Sequence, residues 1–256
     1  MSDELSIVTW NIDGLEHNSQ QQQVILRTEA ICEAISRSLP SAVFFQEVVK
    51  STFLTIYRNL GSSYDIHKQT TTSHNYFVVI LTLKASIETI GTQYMHFKNS
   101  MMGRGLLGVK VKFLKGPSHL LYLATAHFES CREYSVERQL QLTQSFDHCA
   151  RIGCPTIFGG DLNLRDNEVK NNVHSDFADV WETCGRDIHN KFTWDTLLND
   201  NLTVDDKKIR CRFDRLYCSH SFMKPSMFTL IGKERIPLIG RFPSDHFGIL
   251  ASFNFT

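Results

Sequence analysis

Much of what defines other protein classes is missing from this chain. No apolar run approaches the length of a membrane span, and the opening residues, MSDELSIVTW, carry no secretory signal, so no membrane partner is expected. Neither sign of charge prevails: 27 Lys and Arg balance 27 Asp and Glu. A uniformly basic nucleic-acid-binding surface is thereby excluded, though a local basic groove is not. The seven cysteines are odd in number and include no C-x-x-C pair, which reads as reduced thiols of an intracellular protein and not a disulfide frame or zinc site. No G-x-G-x-x-G follows the first strand-like run, no strict β–α alternation appears, and there is no fixed-period repeat, low-complexity block or clear linker.

What is present fits one globular unit. With 256 residues, 42% of them hydrophobic and 21% charged, residues 1–256 read as a single domain able to bury a large core, and expected to be part of a longer protein. Short apolar runs rich in β-branched and aromatic residues predict strands at 5–10, 41–46, 76–83, 106–113, 119–128, 155–160, 212–219 and 246–253. Helical spacing predicts a helix over 21–39 with an apolar face of Val24, Ile25, Ala30, Ile31, Ala34 and Ile35. A second is predicted over 133–151 with Leu140, Leu142, Phe146 and Ala150. Strands outnumber helices and several follow one another, which favours a layered α+β domain with antiparallel or mixed sheets.

Polar residues recur where these strands end. LSIVTW runs into Asn11, SAVFF into Gln46 and Glu47, and LLYLATA into His127, then Glu129 and Ser130. PTIFGG runs into Asp161 and Asn163, Asp214 opens LYCS, and Ser244-Asp245-His246 precedes the last strand. Each alone has a plain explanation as a cap or turn residue. Strands packed side by side, however, would bring these acid, amide and imidazole groups to one rim. Carboxylates with water and phosphate oxygens are the ligands of Mg²⁺, and no Cys/His set has zinc spacing. The pattern points to metal-assisted hydrolysis of a phosphate ester.

The order TWN (9–11), QE (46–47), GDLN (160–163) and SDH (244–246), with Asp214 between the last two, resembles the endonuclease/exonuclease/phosphatase superfamily across nearly the whole chain. That resemblance implies a four-layer sandwich, two central sheets flanked by helices. TWNIDGL, MMGRGLL, GDLNLRD, FTWDT, RFDR and GRFPSDHFG look more specifically like the branch that hydrolyses 5′-phosphotyrosyl bonds in DNA repair. Phe128 and Cys131 stand where that pattern has Leu and Thr.

The resemblance implies a role for each residue. Glu47 would hold Mg²⁺, for which Mn²⁺ can substitute, with Asp245 in the metal's inner or outer shell. Asp161 would orient and deprotonate the attacking water, and Asn11 and Asn163 would donate amide N–H to phosphate or water without adding repulsive charge. His246 would donate to the phosphoryl oxygen while Asp214 fixes its other ring nitrogen. His127, Ser130, Arg132 and Arg165 would line the phosphate side, Tyr76 and Arg104 the side toward the protein remnant. Trp194, Leu202 and Phe213 would form an apolar wall for the nucleotide. The implied substrate is 5′-tyrosyl-linked DNA with single-stranded character, carrying a topoisomerase II peptide remnant, or a protein-linked RNA; the implied compartment is the nucleus, with the cytoplasm second. Two rival readings remain: another hydrolase of the superfamily, such as an abasic-site endonuclease, and a non-catalytic nucleic-acid-binding module on the same scaffold.

Overall fold

The computed structural model describes residues 4–15, 21–69, 75–115, 119–170, 172–202, 207–221 and 223–255. Two six-stranded mixed sheets dominate. The first runs, in spatial order, β13 (Met223–Ile231), β14 (Gly248–Phe255), β1 (Leu5–Asn11), β2 (Ala42–Val49), β4 (Tyr76–Leu83) and β3 (Tyr64–Lys68). The second runs β5 (Ile87–His96), β6 (Gly105–Phe113), β7 (His119–His127), β8 (Thr156–Asp161), β12 (Asp214–Ser219) and β9 (Phe177–Asp179). Each sheet has one parallel pair, β1–β2 and β7–β8; the other pairings are antiparallel. A short ribbon of β10 (Trp194–Asp195) and β11 (Arg210–Cys211) stands apart.

The period-2 alternation of β1 shows how the layers form. Leu5 and Ile7 enter the core between the sheets with Phe44, Ile80, Val109, Leu123, Ile157 and Leu216. Val8 and Trp10 face outward, where α1 (Gln21–Ser38) and α2 (Lys50–Leu60) cover them with Ile31, Ile35, Ile56 and Leu60. On the far side α3 (Ser135–Arg151) packs Leu142, Phe146 and Cys149 on Ala124, Phe158 and Tyr217. The order is helix, sheet, sheet, helix.

Both helical faces differ from the sequence expectation. In α1 the buried stripe is Val24, Arg27, Thr28, Ile31, Cys32 and Ile35, with Ile25, Ala30 and Ala34 at its margin. In α3 Leu140 and Ala150 face solvent, and Arg138 and Gln141 occupy the buried stripe instead. The cause is the same in each helix: a buried arginine has polar partners waiting. Arg27 donates to Asp13 and to the Pro243 carbonyl, and Arg138 makes two bonds to Glu168.

The space between the sheets changes character toward one end. One layer above the apolar core, Gln46 Nε2 donates to Thr9 Oγ1 at 3.2 Å in its own sheet and to Thr125 Oγ1 at 3.0 Å in the other. Asn11, His127, Asp161 and Asp214 follow at the rim. Register puts them side by side: Asn11 lies opposite Gln46, His127 opposite Asp161, and Asp161 opposite Asp214.

Candidate metal and catalytic centre

The rim residues form one buried polar cluster drawn from both sheets. Asn11 is its hinge. Its Oδ1 accepts from Asp13 N, which aims Nδ2 at two carboxylates, Glu47 Oε1 at 3.0 Å and Asp161 Oδ2 at 2.9 Å. Both amide hydrogens thus meet protein carboxylates here, where the sequence led to the expectation of phosphate or water. Glu47 reaches this place because β2 bulges between Phe45 and Val48 and Glu47 takes φ 56°, a left-handed conformation unusual outside glycine. Asn163 is likewise left-handed, at φ 52°. Its N–H donates to Asp161 Oδ1 at 3.0 Å and its amide to the Phe128 carbonyl at 3.3 Å. Such backbone costs about 1–3 kcal/mol and persists where the surroundings enforce it.

A second group centres on His246. Its Nδ1 lies 2.7 Å from Asp214 Oδ2 and its Nε2 3.8 Å from Asp161 Oδ2, so the ring is held on one side and faces the cluster on the other. The preceding segment is pinned throughout: Ser244 Oγ donates to the Asn11 carbonyl at 2.6 Å and accepts from His246 N at 3.1 Å. Trp10 Nε1 donates to the His246 carbonyl at 2.9 Å. Thr193 braces both partners, its hydroxyl accepting from Asp214 N and its carbonyl from Phe247 N. The last strand begins at Gly248, so Asp245-His246 is a loop held against Trp194 by an isolated bridge.

Electrostatics follow from burial and like charge. Burial raises the Asp161 carboxyl to about 7, reinforced by Asp214 and Glu47 and opposed by His246 and the Asn11 hydrogen bond. Glu47 is raised for the same first reason, with Asp245 adding repulsion. His127 is driven well below the ordinary imidazole value by burial, then by Arg104 and His246, and is neutral. For His246 burial opposes the charge, yet Asp214, Asp245 and Asp161 together hold it well above that value, as an imidazolium.

The spacing of the donor atoms suits a cation. Donor atoms of Glu47, His127 and Asp161 lie within 4.8 Å of one another, as do those of Asp161, Asp214 and His246. The first set, two carboxylates and a neutral imidazole, suits a divalent ion, and bound charge would return both carboxylates to the ionised form. Asp245 lies outside both sets. Its Oδ2 accepts from Trp194 Nε1 at 3.2 Å, and its field acts on Glu47 and His246.

The residues expected to contact substrate are placed unequally. The Arg104 guanidinium lies over the Tyr76 ring, 4.7 Å from its centroid, and Tyr76 faces His127 at 6.2 Å. Arg104 is buried, with Nε and Nη1 lacking any hydrogen-bond partner among the described residues. Arg165 covers Phe213 at 5.3 Å, and Phe213 faces Trp194 at 5.6 Å. Trp194 is mostly buried and braces Asp245, so Phe213 and the half-exposed Leu202 present more open surface of that wall. Ser130 donates to Met102 Sδ, and Arg132 is exposed, with no contact drawing it to the others among the described residues. Glu129 departs from the rim altogether: it is buried and binds the backbone of Met101 and Met102.

The comparisons with known proteins agree with this fold. A family model described as the Endonuclease/Exonuclease/phosphatase family matches residues 8–246. The chain belongs to that family. Tyrosyl-DNA phosphodiesterase 2 of Gallus gallus is 35% identical over 97% of the chain and 66% of its own length, and the Homo sapiens protein of that name 32% over 97% and 68%. The chain thus spans about two thirds of the length of these curated relatives. Among solved structures, TDP2 from C. elegans superposes with a TM-score of 0.88 at 36% identity, covering 99% of this chain and 76% of that one. D. rerio TDP2 complexed with single strand DNA product gives 0.87 at 34%, covering 99% and 100%. A Bacteroides thetaiotaomicron member of the endonuclease/exonuclease/phosphatase family, 14% identical with a TM-score of 0.80, shares the fold.

Residues absent from the sequence reading complete the frame. Trp10 supports His246, and Arg138 and Glu168 tie α3 to the turn at Arg165. The available signal was a charged residue on an apolar helical stripe: Arg138 falls four positions before Leu142.

Proposed function

We propose that this chain hydrolyses the 5′-phosphotyrosyl bond joining a protein remnant to DNA, leaving a 5′-phosphate, with Mg²⁺ as the ion and Mn²⁺ as a substitute. The observation that carries the reading is the juxtaposition of the Glu47–His127–Asp161 donor set with an oriented imidazolium, His246 on Asp214. The relatives named tyrosyl-DNA phosphodiesterase 2 supply the substrate class.

Bound between Glu47, His127 and Asp161, a divalent ion would neutralise charge on the phosphoryl oxygens. The chain does the rest. Asp161, ionised beside the ion and 3.8 Å from His246 Nε2, takes the proton of the attacking water. His246 donates from Nε2 to a phosphoryl oxygen as negative charge gathers there, and Asp214 keeps that ring charged and fixed. Arg104, buried over Tyr76 with Nε and Nη1 unpartnered among the described residues, meets the anionic ester from the remnant side. Arg165, on Phe213, steadies the nucleotide side, where stacking tolerates any base. A departing phenolate, whose conjugate acid has a pKa of about 10, needs little help from an acid.

The natural remnant on this reading is that of topoisomerase II on DNA in the nucleus, with protein-linked RNA in the cytoplasm as the second substrate. The test is hydrolysis of 5′-phosphotyrosyl single-stranded DNA in Mg²⁺, with the 3′-linked isomer and an abasic duplex as controls. Release of tyrosine from the 5′ adduct alone is expected. Cleavage of the abasic duplex or of the 3′ isomer in its place refutes the reading, and turnover that survives Glu47→Ala refutes the assigned centre.

A further inference from the structure

Glu129 is a fully buried carboxylate with no cation bonded to it among the described residues, and hydration lost by such a group must be recovered from its neighbours. A single oxygen, Oε1, accepts three hydrogen bonds: Ser100 Oγ at 2.6 Å, Met101 N at 2.6 Å and Met102 N at 3.1 Å. Ser100 passes the order on, since its hydroxyl, donating to Glu129, accepts from Arg104 N at 2.7 Å. Between them Gly103 turns the chain at φ 65°, and Phe97 N closes the loop on the Arg104 carbonyl at 3.1 Å. Among the described residues, every donor on this carboxylate therefore belongs to the loop that delivers Arg104.

The anchor is as well fixed as the loop. Glu129 N donates to Gln141 Oε1 at 3.0 Å, and the Glu129 carbonyl accepts from Arg138 Nη1 at 3.1 Å, both from the buried face of α3. Arg138 in turn grips Glu168 through both oxygens, and Glu168 Oε2 accepts from Arg165 N at 2.9 Å. One α3-based network thus reaches the backbone of both arginines that flank the centre.

We propose that Glu129 is a positioning residue for Arg104: its carboxylate holds the 100–104 loop so that the guanidinium stays over Tyr76 and faces the ester. The inference rests on the reading of Arg104 as a substrate contact given above. Charge is the reason for Glu at this place, because an anionic oxygen serves three donors at once where a neutral amide oxygen serves them more weakly.

A double-mutant cycle on the 5′-phosphotyrosyl oligonucleotide in Mg²⁺ separates positioning from simple stability. Arg104→Ala is expected to lower kcat/KM roughly ten- to hundredfold, the range for a lost hydrogen bond to a charged group. Glu129→Gln should lower it by a comparable or smaller factor and, placed in the Arg104→Ala background, should change it less than about twofold. Ser100→Ala, a milder cut in the same relay, should show the same dependence on Arg104. If the Glu129→Gln and Arg104→Ala losses multiply, or if Glu129→Gln and Ser100→Ala keep full activity while Arg104→Ala does not, the positioning role is wrong and the function stands. If Arg104→Ala is fully active, the substrate role of Arg104 fails and the positioning role with it.

Discussion

Replacing Asp214 by Asn tests whether His246 acts as a charged donor. The carboxylate is fully buried, its Oδ2 sits 2.7 Å from Nδ1, and its Oδ1 has no hydrogen bond among the described residues. Its main contribution is therefore to the imidazole. Asparagine keeps the shape and removes the charge. A hydrogen bond to a charged group contributes about 1.5–3 kcal/mol, so kcat should fall roughly 10- to 150-fold. Geometry alone would not be lost, since the amide can still meet Nδ1 with either of its polar atoms. The pH profile supplies the second readout. In the wild type burial opposes protonation and the Asp214, Asp245 and Asp161 carboxylates override it, so the imidazolium survives well above the usual imidazole range. Activity that needs it is present below the raised folded-state value and is lost as pH climbs through that value. In Asp214→Asn the value drops, and the alkaline limb of kcat should move to lower pH. The assay is kcat against pH on 5′-phosphotyrosyl DNA, with circular dichroism confirming the fold. An unshifted alkaline limb, or undiminished kcat, refutes the charged-donor assignment.

Asp161→Asn should reduce kcat by about 10²–10⁴, the usual contribution of a positioned base. The same change should raise the melting temperature of metal-free protein, because it removes repulsion among buried carboxylates; a lowered midpoint would contradict the crowding described. Added Mg²⁺ should raise the wild-type midpoint in proportion to the logarithm of its concentration once saturating, and Glu47→Ala should abolish that response in differential scanning fluorimetry. Trp10→Phe removes the bond to the His246 carbonyl and part of a ring against which Gly232 and Gly248 fit closely. It should cost about 1–3 kcal/mol in urea denaturation and slow turnover more than it weakens substrate binding.

The central strands were legible because burial on both faces leaves near-continuous apolar runs, as in YFVVILTL, whose predicted bounds 76–83 match β4. Strands β3, β5 and β13 were not read, since each lies at or near a sheet margin and mixes polar residues freely; IETIGTQYMH in β5 is the plainest case. Helix α2 was missed because Thr52, Thr55 and Ile56 are weak helix formers that packing overrides. At the centre, Asn11, Glu47, Asp161, Asp214 and His246 could be picked out because each is a polar residue abutting an apolar run. The supporting frame could not. The carboxylate of Glu129 and the guanidinium of Arg138 reach partners 27 to 30 positions away, and sequence spacing carries no record of such pairings.

The bulge in β2 carries a consequence of its own. In an unbroken strand, adjacent side chains take opposite faces, so Gln46 and Glu47 could not both serve the gap between the sheets. The irregularity after Phe45 lets one strand supply a crossbeam and, next to it, an acid group for the mouth of the cleft. Shortening that segment by one residue would force a choice between joining the two halves of the molecule and arming it, and no compensating change at a surface loop could restore both.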